Sequence, residues 1–293
     1  MMDVLTSFTF LIVAIGTMVL AFAGGMVGTI SVMKGQSLIG DAIGHATFPG
    51  IVLAFMLIGV KETFTLAIGA IILGIIAFFT IQMVTDHSKI TLDGALALIL
   101  SSFFGLGMTL MSFVQGNPDF EGTQGLNDYI FGQAAYMLRS DVYLIIIASF
   151  ISLFIFWAFY RQIKIYIFDP VFSRTVGINN TFMNFTILTI TILLISVGLK
   201  AVGAILIVNL LIAPAAIGQL WSSRFRVVLI IAGCSGAIAA FTGTYISTAG
   251  ENIATGPAII LTLSTLMVLS LFFAPKGIIL RSIYKRKMGE KTP

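Results

Sequence analysis

Apolar stretches of about 20 residues, each closed by a short polar or glycine-rich interval, succeed one another along the chain. They fall at about 6–33, 38–60, 64–85, 92–115, 141–160, 181–199, 201–221, 226–248 and 256–274. A helix of about 20 residues crosses roughly 30 Å of hydrocarbon. The pattern therefore predicts an all-α, polytopic membrane helical bundle of about nine transmembrane helices, with eight or ten as neighbouring counts. The weakest division separates 181–199 from 201–221, where Lys200 alone interrupts the apolar run. The first run is too long for a signal-peptide core and lacks a basic start, so a retained helix is expected there. Nothing is left over for a soluble unit, and residues 1–293 read as a single transmembrane domain.

Composition agrees. The chain is 58% hydrophobic and only 10% charged, against about 25% charged in soluble domains, and its mean hydropathy is +1.07. The net charge of +4 does not indicate a nucleic-acid partner, because the basic residues are scattered over loops without interleaved base-stacking aromatics. Their placement reports topology instead. With the N-terminus outside and the C-terminus cytoplasmic, Lys34, Lys89, Arg161, Lys164, Arg174, Arg224, Arg226, Lys276 and the tail cations Arg281, Lys285, Arg286, Lys287 and Lys291 lie inside. That is thirteen of the sixteen Lys and Arg, leaving Lys61, Arg139 and Lys200 outside. The lone Cys234 excludes an intrachain disulfide framework and a cysteine-based zinc cage. No G-x-x-x-x-G-K-[ST] loop is present, so the chain cannot itself bind ATP in the usual way; H-E-x-x-H and G-x-S-x-G are missing too, which weakens a protease or hydrolase reading.

Two connections exceed a hairpin. The outer one, 116–140, carries Asp119, Glu121 and Asp128 and then Tyr129-Ile130-Phe131-Gly132, which predicts a short interfacial helix over the mouth of a pathway. The inner one, 161–181, contains Asp169-Pro170 and, later, Gly177, a start and stop that predict a short capped helix on the cytoplasmic face. It reads either as a docking element for a soluble partner or as a solvated surface helix. Asn179-Asn180-Thr181 matches a glycosylation acceptor but falls on the cytoplasmic side and is discounted. Small residues recur four apart at Gly40 and Gly44, Ala46 and Gly50, Gly233 and Ala237, Gly236 and Ala240, and Ala239 and Gly243, which lets helices approach closely.

The candidate chemistry sits at Asp41 and His45, an acid and an imidazole inside an apolar stretch. Residues four apart share a helix face, so both side chains can reach one small object, and a divalent metal ion is the natural one. Charged groups in a membrane are costly and default to function. Two readings stay open: the pair ligates an ion, or Asp41 caps its helix and His45 satisfies it. One oxygen and one nitrogen cannot complete a coordination sphere, so a second copy or water must supply the rest. Pro49 follows one turn on, where a kink would suit a gate. Asn209 reads more readily as a helix-to-helix bond than as a pathway residue, and Asp86, His87 and Asp93 near Lys89 as a solvated, charge-paired loop.

Leu38-Ile39-Gly40-Asp41-Ala42 with His45 and Pro49-Gly50, then Asp169-Pro170 with Gly177, then Ala204-Ile205-Leu206-Ile207 with Ala213-Pro214-Ala215-Ala216, and finally Thr255-Gly256-Pro257-Ala258 occur in one order. In that order they resemble the permeases of bacterial zinc and manganese ABC importers, over nearly the whole chain. The resemblance implies a multi-pass protein of the bacterial plasma membrane that forms a translocation path as a homodimer and works by alternating access. It implies cytoplasmic ATP-binding subunits that carry the ATP, and an extracellular or periplasmic metal-binding protein that delivers the ion. No permanently bound cofactor follows from it, and the chain itself would not be an enzyme; manganese or zinc is the transported substrate, manganese being favoured on overall likeness. By position, Asp41 and His45 fall on the metal path, and Asp169, Pro170 and Gly177 on the stretch that couples to the ATPase. Since a metal-bound imidazole must be unprotonated, transport should weaken below about pH 6. The competing readings are a proton-coupled metal carrier, which should show more buried carboxylates and an inverted repeat, and an intramembrane metalloenzyme, which needs a third ligand and a base.

Overall fold

In the computed structural model, residues 8–59, 62–117, 120, 132, 137–250 and 253–279 are described. Among them every regular element is a helix: α1 (Phe8–Met33), α2 (Ile39–Ile58), α3 (Thr63–His87), α4 (Leu92–Gly116), α5 (Arg139–Ala158), α6 (Tyr160–Phe168), α7 (Pro170–Thr175), α8 (Asn180–Trp221), α9 (Phe225–Ala249) and α10 (Thr255–Phe273). Lipid offers no partner for backbone N–H and C=O groups, so apolar segments of this length close their hydrogen bonds internally as helix. The expected interfacial helix around Asp119, Glu121, Asp128 and Tyr129 to Phe131, together with Lys61 and the tail from Arg281 to Lys291, lies outside the described residues.

Eight helical segments among the described residues are long and apolar enough to cross a membrane, and Leu206–Trp221 is a shorter apolar helix. At 1.5 Å per residue that segment rises about 24 Å, short of a full hydrocarbon layer. All nine expected segments are therefore helical, but the break inside α8 is not made by Lys200. Gly203 makes it, with φ 80° and ψ 165°, a backbone region open essentially to glycine alone. The two arms of α8 fold back on each other there, since a Cβ on Gly198 would stand 2.7 Å from Ile207 Cδ1.

Polar contacts mark the two ends of the bundle. At one end Lys34 Nζ donates to Asn184 Oδ1 at 2.8 Å and to the Tyr166 hydroxyl at 3.2 Å, joining α1, α6 and the start of α8. At that end too Phe225 stacks on Tyr160, Trp221 Nε1 donates to Ser270 Oγ, and Lys276 Nζ donates to the Ser222 carbonyl. At the other end Lys200, Thr63 and Asp141 meet, and Ser247 and Thr255 share a hydrogen bond at 2.9 Å.

Small residues set the close crossings. A Cβ on Gly50 or Gly69 would collide with the other's carbonyl oxygen where α2 crosses α3, and one on Gly28 would collide with the Leu211 carbonyl where α1 crosses α8. Gly40 and Gly44 face Leu211 and Val208 of α8, as the spacing-four pattern requires, while Gly233, Gly236 and Gly243 pack on Phe22, Ala21 and Ile259 within the chain. The core that results runs from Val13 to Leu263 without a break between helices.

Candidate functional site

The small-residue face of α2 is seated on the second arm of α8, which leaves the neighbouring face, carrying Asp41 and His45, turned towards α4. There the His45 ring meets the edge of Phe104 at a centroid separation of 5.0 Å and an interplanar angle of 79°. His45 Nε2 stands 3.5 Å from Asp41 Oδ1. The side chains are 18% and 37% exposed respectively, so the pair is open on one side rather than sealed in the core. Two donors held about 2.1 Å from a common ion at 90–110° stand roughly 3.0–3.4 Å apart. The observed separation is close to what sharing one cation requires.

The capping alternative is not realised. Leu38 occupies the N-cap of α2 with no side-chain cap bond, and Asp41 is the third residue of the helix, within its first turn. Its charge still favours the positive end of the helix dipole, which lowers the cost of keeping a carboxylate at that depth. His45 Nδ1 is buried and has no hydrogen-bond partner among the described residues. Resident metal sites normally lock that second nitrogen with an acceptor. Among the described residues no group of three or more His, Cys, Asp and Glu gathers to hold a metal ion. Asp41 and His45 are thus a two-donor set within one chain.

The second predicted site is built from local signals. Asp169 caps α7, its Oδ1 accepting from Phe172 N at 2.8 Å, Pro170 takes the first helical position, and Gly177, at φ 84°, ends the turn in the left-handed region. Ser173 Oγ bonds to Asn180 Oδ1, and Asn180 Nδ2 donates to the Pro170 carbonyl at 2.9 Å, which ties α7 to the first turn of α8. Phe168 at the end of α6, Val171 and Phe172 on α7 and Val176 just after it are all more than half exposed, leaving an apolar surface on and around this short helix. The structure keeps the two predicted groups apart as separate sites: Asp41 and His45 on α2, Asp169, Pro170 and Gly177 around α7.

Other expectations fare differently. Asp86, Asp93 and Lys89 make no ion pair among the described residues; the loop there is exposed, and His87 Nδ1 lies 3.2 Å from the Met83 carbonyl. The loop is solvated as expected but not charge-paired, because water already satisfies charges at an exposed helix end. Sequence reasoning missed Asp141 and Lys200. Lys200 Nζ lies 2.9 Å from both Asp141 oxygens and donates to Thr63 Oγ1 at 2.7 Å, while Asp141 also accepts from Thr63 and from the Leu138 amide. A lone lysine inside an apolar run was the available signal, since such a charge needs a named partner.

Residues 7–274 match the ABC 3 transport family. The chain is similar to the zinc transport system membrane protein TroC of Treponema pallidum (strain Nichols), 35% identical over 98% of this chain and 96% of that one. It is similar to the manganese transport system membrane protein MntC of Bacillus subtilis (strain 168), 35% identical over 94% of this chain and 64% of that one. Among solved structures it is similar to PsaBC from Streptococcus pneumoniae in complex with Fab, with a TM-score of 0.85 and 30% identity over 97% of this chain and 98% of that one.

Proposed function

This chain belongs to the ABC 3 transport family, and from that premise we propose that it is the membrane-spanning permease subunit of an ATP-driven importer of divalent metal ions. The observation that carries the reading is the Asp41 Oδ1 to His45 Nε2 separation of 3.5 Å on an open face of a membrane helix. Asp41 and His45 briefly replace part of the hydration shell of the ion, and the incomplete donor set with an unlocked imidazole suits passage better than storage. Carboxylate and imidazole accept both manganese and zinc. Relatives named for each metal are similar to this chain, and we favour manganese because more of them carry that name.

A second copy supplies further donors. Of the eight long helices α4 is the least buried, at 22%, and it lies beside His45; a copy of the chain laid against that face brings two Asp41 and His45 pairs towards one path. Cytoplasmic ATP-binding subunits engage the apolar surface of α7, and Asp169, Pro170 and Gly177 shape that helix for docking. Because α7 is bonded to the start of α8, a push on it is delivered to the helix that folds back at Gly203 and packs on α2, which is the lever for alternating access. An external metal-binding protein delivers the ion on the opposite side of a bacterial plasma membrane, with the C-terminus cytoplasmic.

The test is metal uptake by cells lacking their own importer that express the chain with its ATPase and binding protein, scored for manganese and zinc separately. Uptake should require all three proteins and fall with Asp41→Asn or His45→Gln. Undiminished uptake in both variants would reject the assignment of the pair, and uptake by the chain alone would reject the ATP-driven reading.

A further inference from the structure

Where α1, α5 and α9 meet, a groove of about 570 Å3 opens on the flank of the bundle, lined by Phe22, Met26, Trp157, Leu229, Tyr160 and Arg226. Arg226 also borders a second recess, about 610 Å3, together with Lys164, Arg224, Phe168 and Phe225. One arginine thus joins an apolar trough to a basic pocket. No carboxylate pairs with Lys164, Arg224 or Arg226 among the described residues. Three exposed cations, none paired with a carboxylate, thus stand beside an apolar groove.

The aromatic residues set the depth. Trp157 is 75% exposed, and Tyr160 stacks on Phe225 while the Arg226 guanidinium sits 5.7 Å from the Tyr160 ring centre. Trp and Tyr favour the boundary between hydrocarbon and headgroups, with Lys and Arg just beyond it. Tyr160 lines the trough, and its hydroxyl is buried with no hydrogen-bond partner among the described residues. We propose that this junction binds an anionic phospholipid of the surrounding bilayer, one acyl chain lying in the trough along α1, α5 and α9 and the phosphate held by Arg226, Arg224 and Lys164. Basic pockets between membrane helices recognise charged headgroups in this way. A zwitterionic lipid fits the same trough but brings its own cation to the pocket, so charge is what selects.

The experiment uses the full chain purified with its ATPase in mild detergent and native mass spectrometry after adding phosphatidylglycerol, phosphatidylcholine of the same chains, or inorganic phosphate. Phosphatidylglycerol should be retained roughly tenfold or more tightly than phosphatidylcholine. Combined Lys164→Gln, Arg224→Gln and Arg226→Gln should abolish that preference, single Arg226→Gln should weaken it, and Lys89→Gln, a cation elsewhere, should leave it intact. Ile230→Trp, which fills the trough from its exposed rim, should weaken both lipids alike. Equal retention of the two lipids overturns the proposal, as does a preference that survives the triple change or falls equally with Lys89→Gln. Displacement of the lipid by inorganic phosphate would make the pocket a free-anion site instead. Loss of the ATPase with lipid preference unchanged would make it a protein interface, and either result rejects the lipid.

Discussion

Among the described residues two acid–base pairs lie within the apolar helices, and they are built in opposite ways. Asp141 is 3% exposed and fully engaged: both oxygens meet Lys200 at 2.9 Å, and Thr63 and the Leu138 amide complete its shell. Asp41 is 37% exposed, stands 3.5 Å from His45, and leaves His45 Nδ1 without a partner. A saturated pair has no donor capacity left and can only hold helices together. An unsaturated pair keeps lone pairs free for something that arrives and leaves. The contrast fits an architectural role at one end of the bundle and the ligand contact proposed for α2.

Breaking the saturated pair should have the largest effect. Lys200→Met strands the Asp141 carboxylate and should lower the stability of the purified complex by about 3–5 kcal/mol, while Lys200→Met combined with Asp141→Leu should recover most of it. Thermal melting in detergent reads both. If the single change proved neutral, the saturated pair would not be structural and the contrast would fail.

At the unsaturated pair the expectation reverses. Asp41→Ala or His45→Ala should cut metal uptake on the order of 100-fold, equivalent to about 2.7 kcal/mol, yet leave melting of the complex within about 1 kcal/mol of the parent. A large melting shift with unchanged uptake would make Asp41 and His45 structural after all. Close to the saturated pair, Gly203→Ala forces a side chain into φ 80° and ψ 165° and should cost about 1–3 kcal/mol, visible in the same melting assay.

The smallest effect sharpens the comparison at a third polar cluster. Burial without a carboxylate lowers Lys34 to about 8, although Asn184 and the Tyr166 hydroxyl accept from it. Between about pH 8 and the ordinary lysine range the unfolded chain holds a proton that the folded chain has released, so stability rises with pH across that window. Melting temperature should therefore climb by a few degrees from pH 8 to 10, and Lys34→Met should flatten the climb. An identical slope in both proteins would show that Lys34 is not the titrating group.

Much of this was legible along the chain. The long apolar segments, the Asp169-Pro170 start and Gly177 stop of α7, and the shared face of Asp41 and His45 all follow from local rules, because capping, proline geometry and i,i+4 proximity involve residues within one or two turns. Less legible was the break in α8. Lys200 looked like the divider because it is polar, whereas the backbone turns at Gly203, where only a residue without a Cβ tolerates the angles. The charge pairing expected near Lys89 is absent among the described residues, because solvent makes it unnecessary.

By itself the sequence determined an all-helical membrane bundle, its capped connecting helix and the shared face of Asp41 and His45, since each is decided by hydropathy or by neighbours a turn away. Only the tertiary structure decided that Lys200 meets Asp141, 59 residues away, that Lys34 meets Asn184, 150 residues away, and that Lys164, Arg224 and Arg226 gather at one pocket. The reason is physical: a buried polar group must find its partner among helices brought together by packing, and packing is a property of the assembled bundle rather than of any one segment.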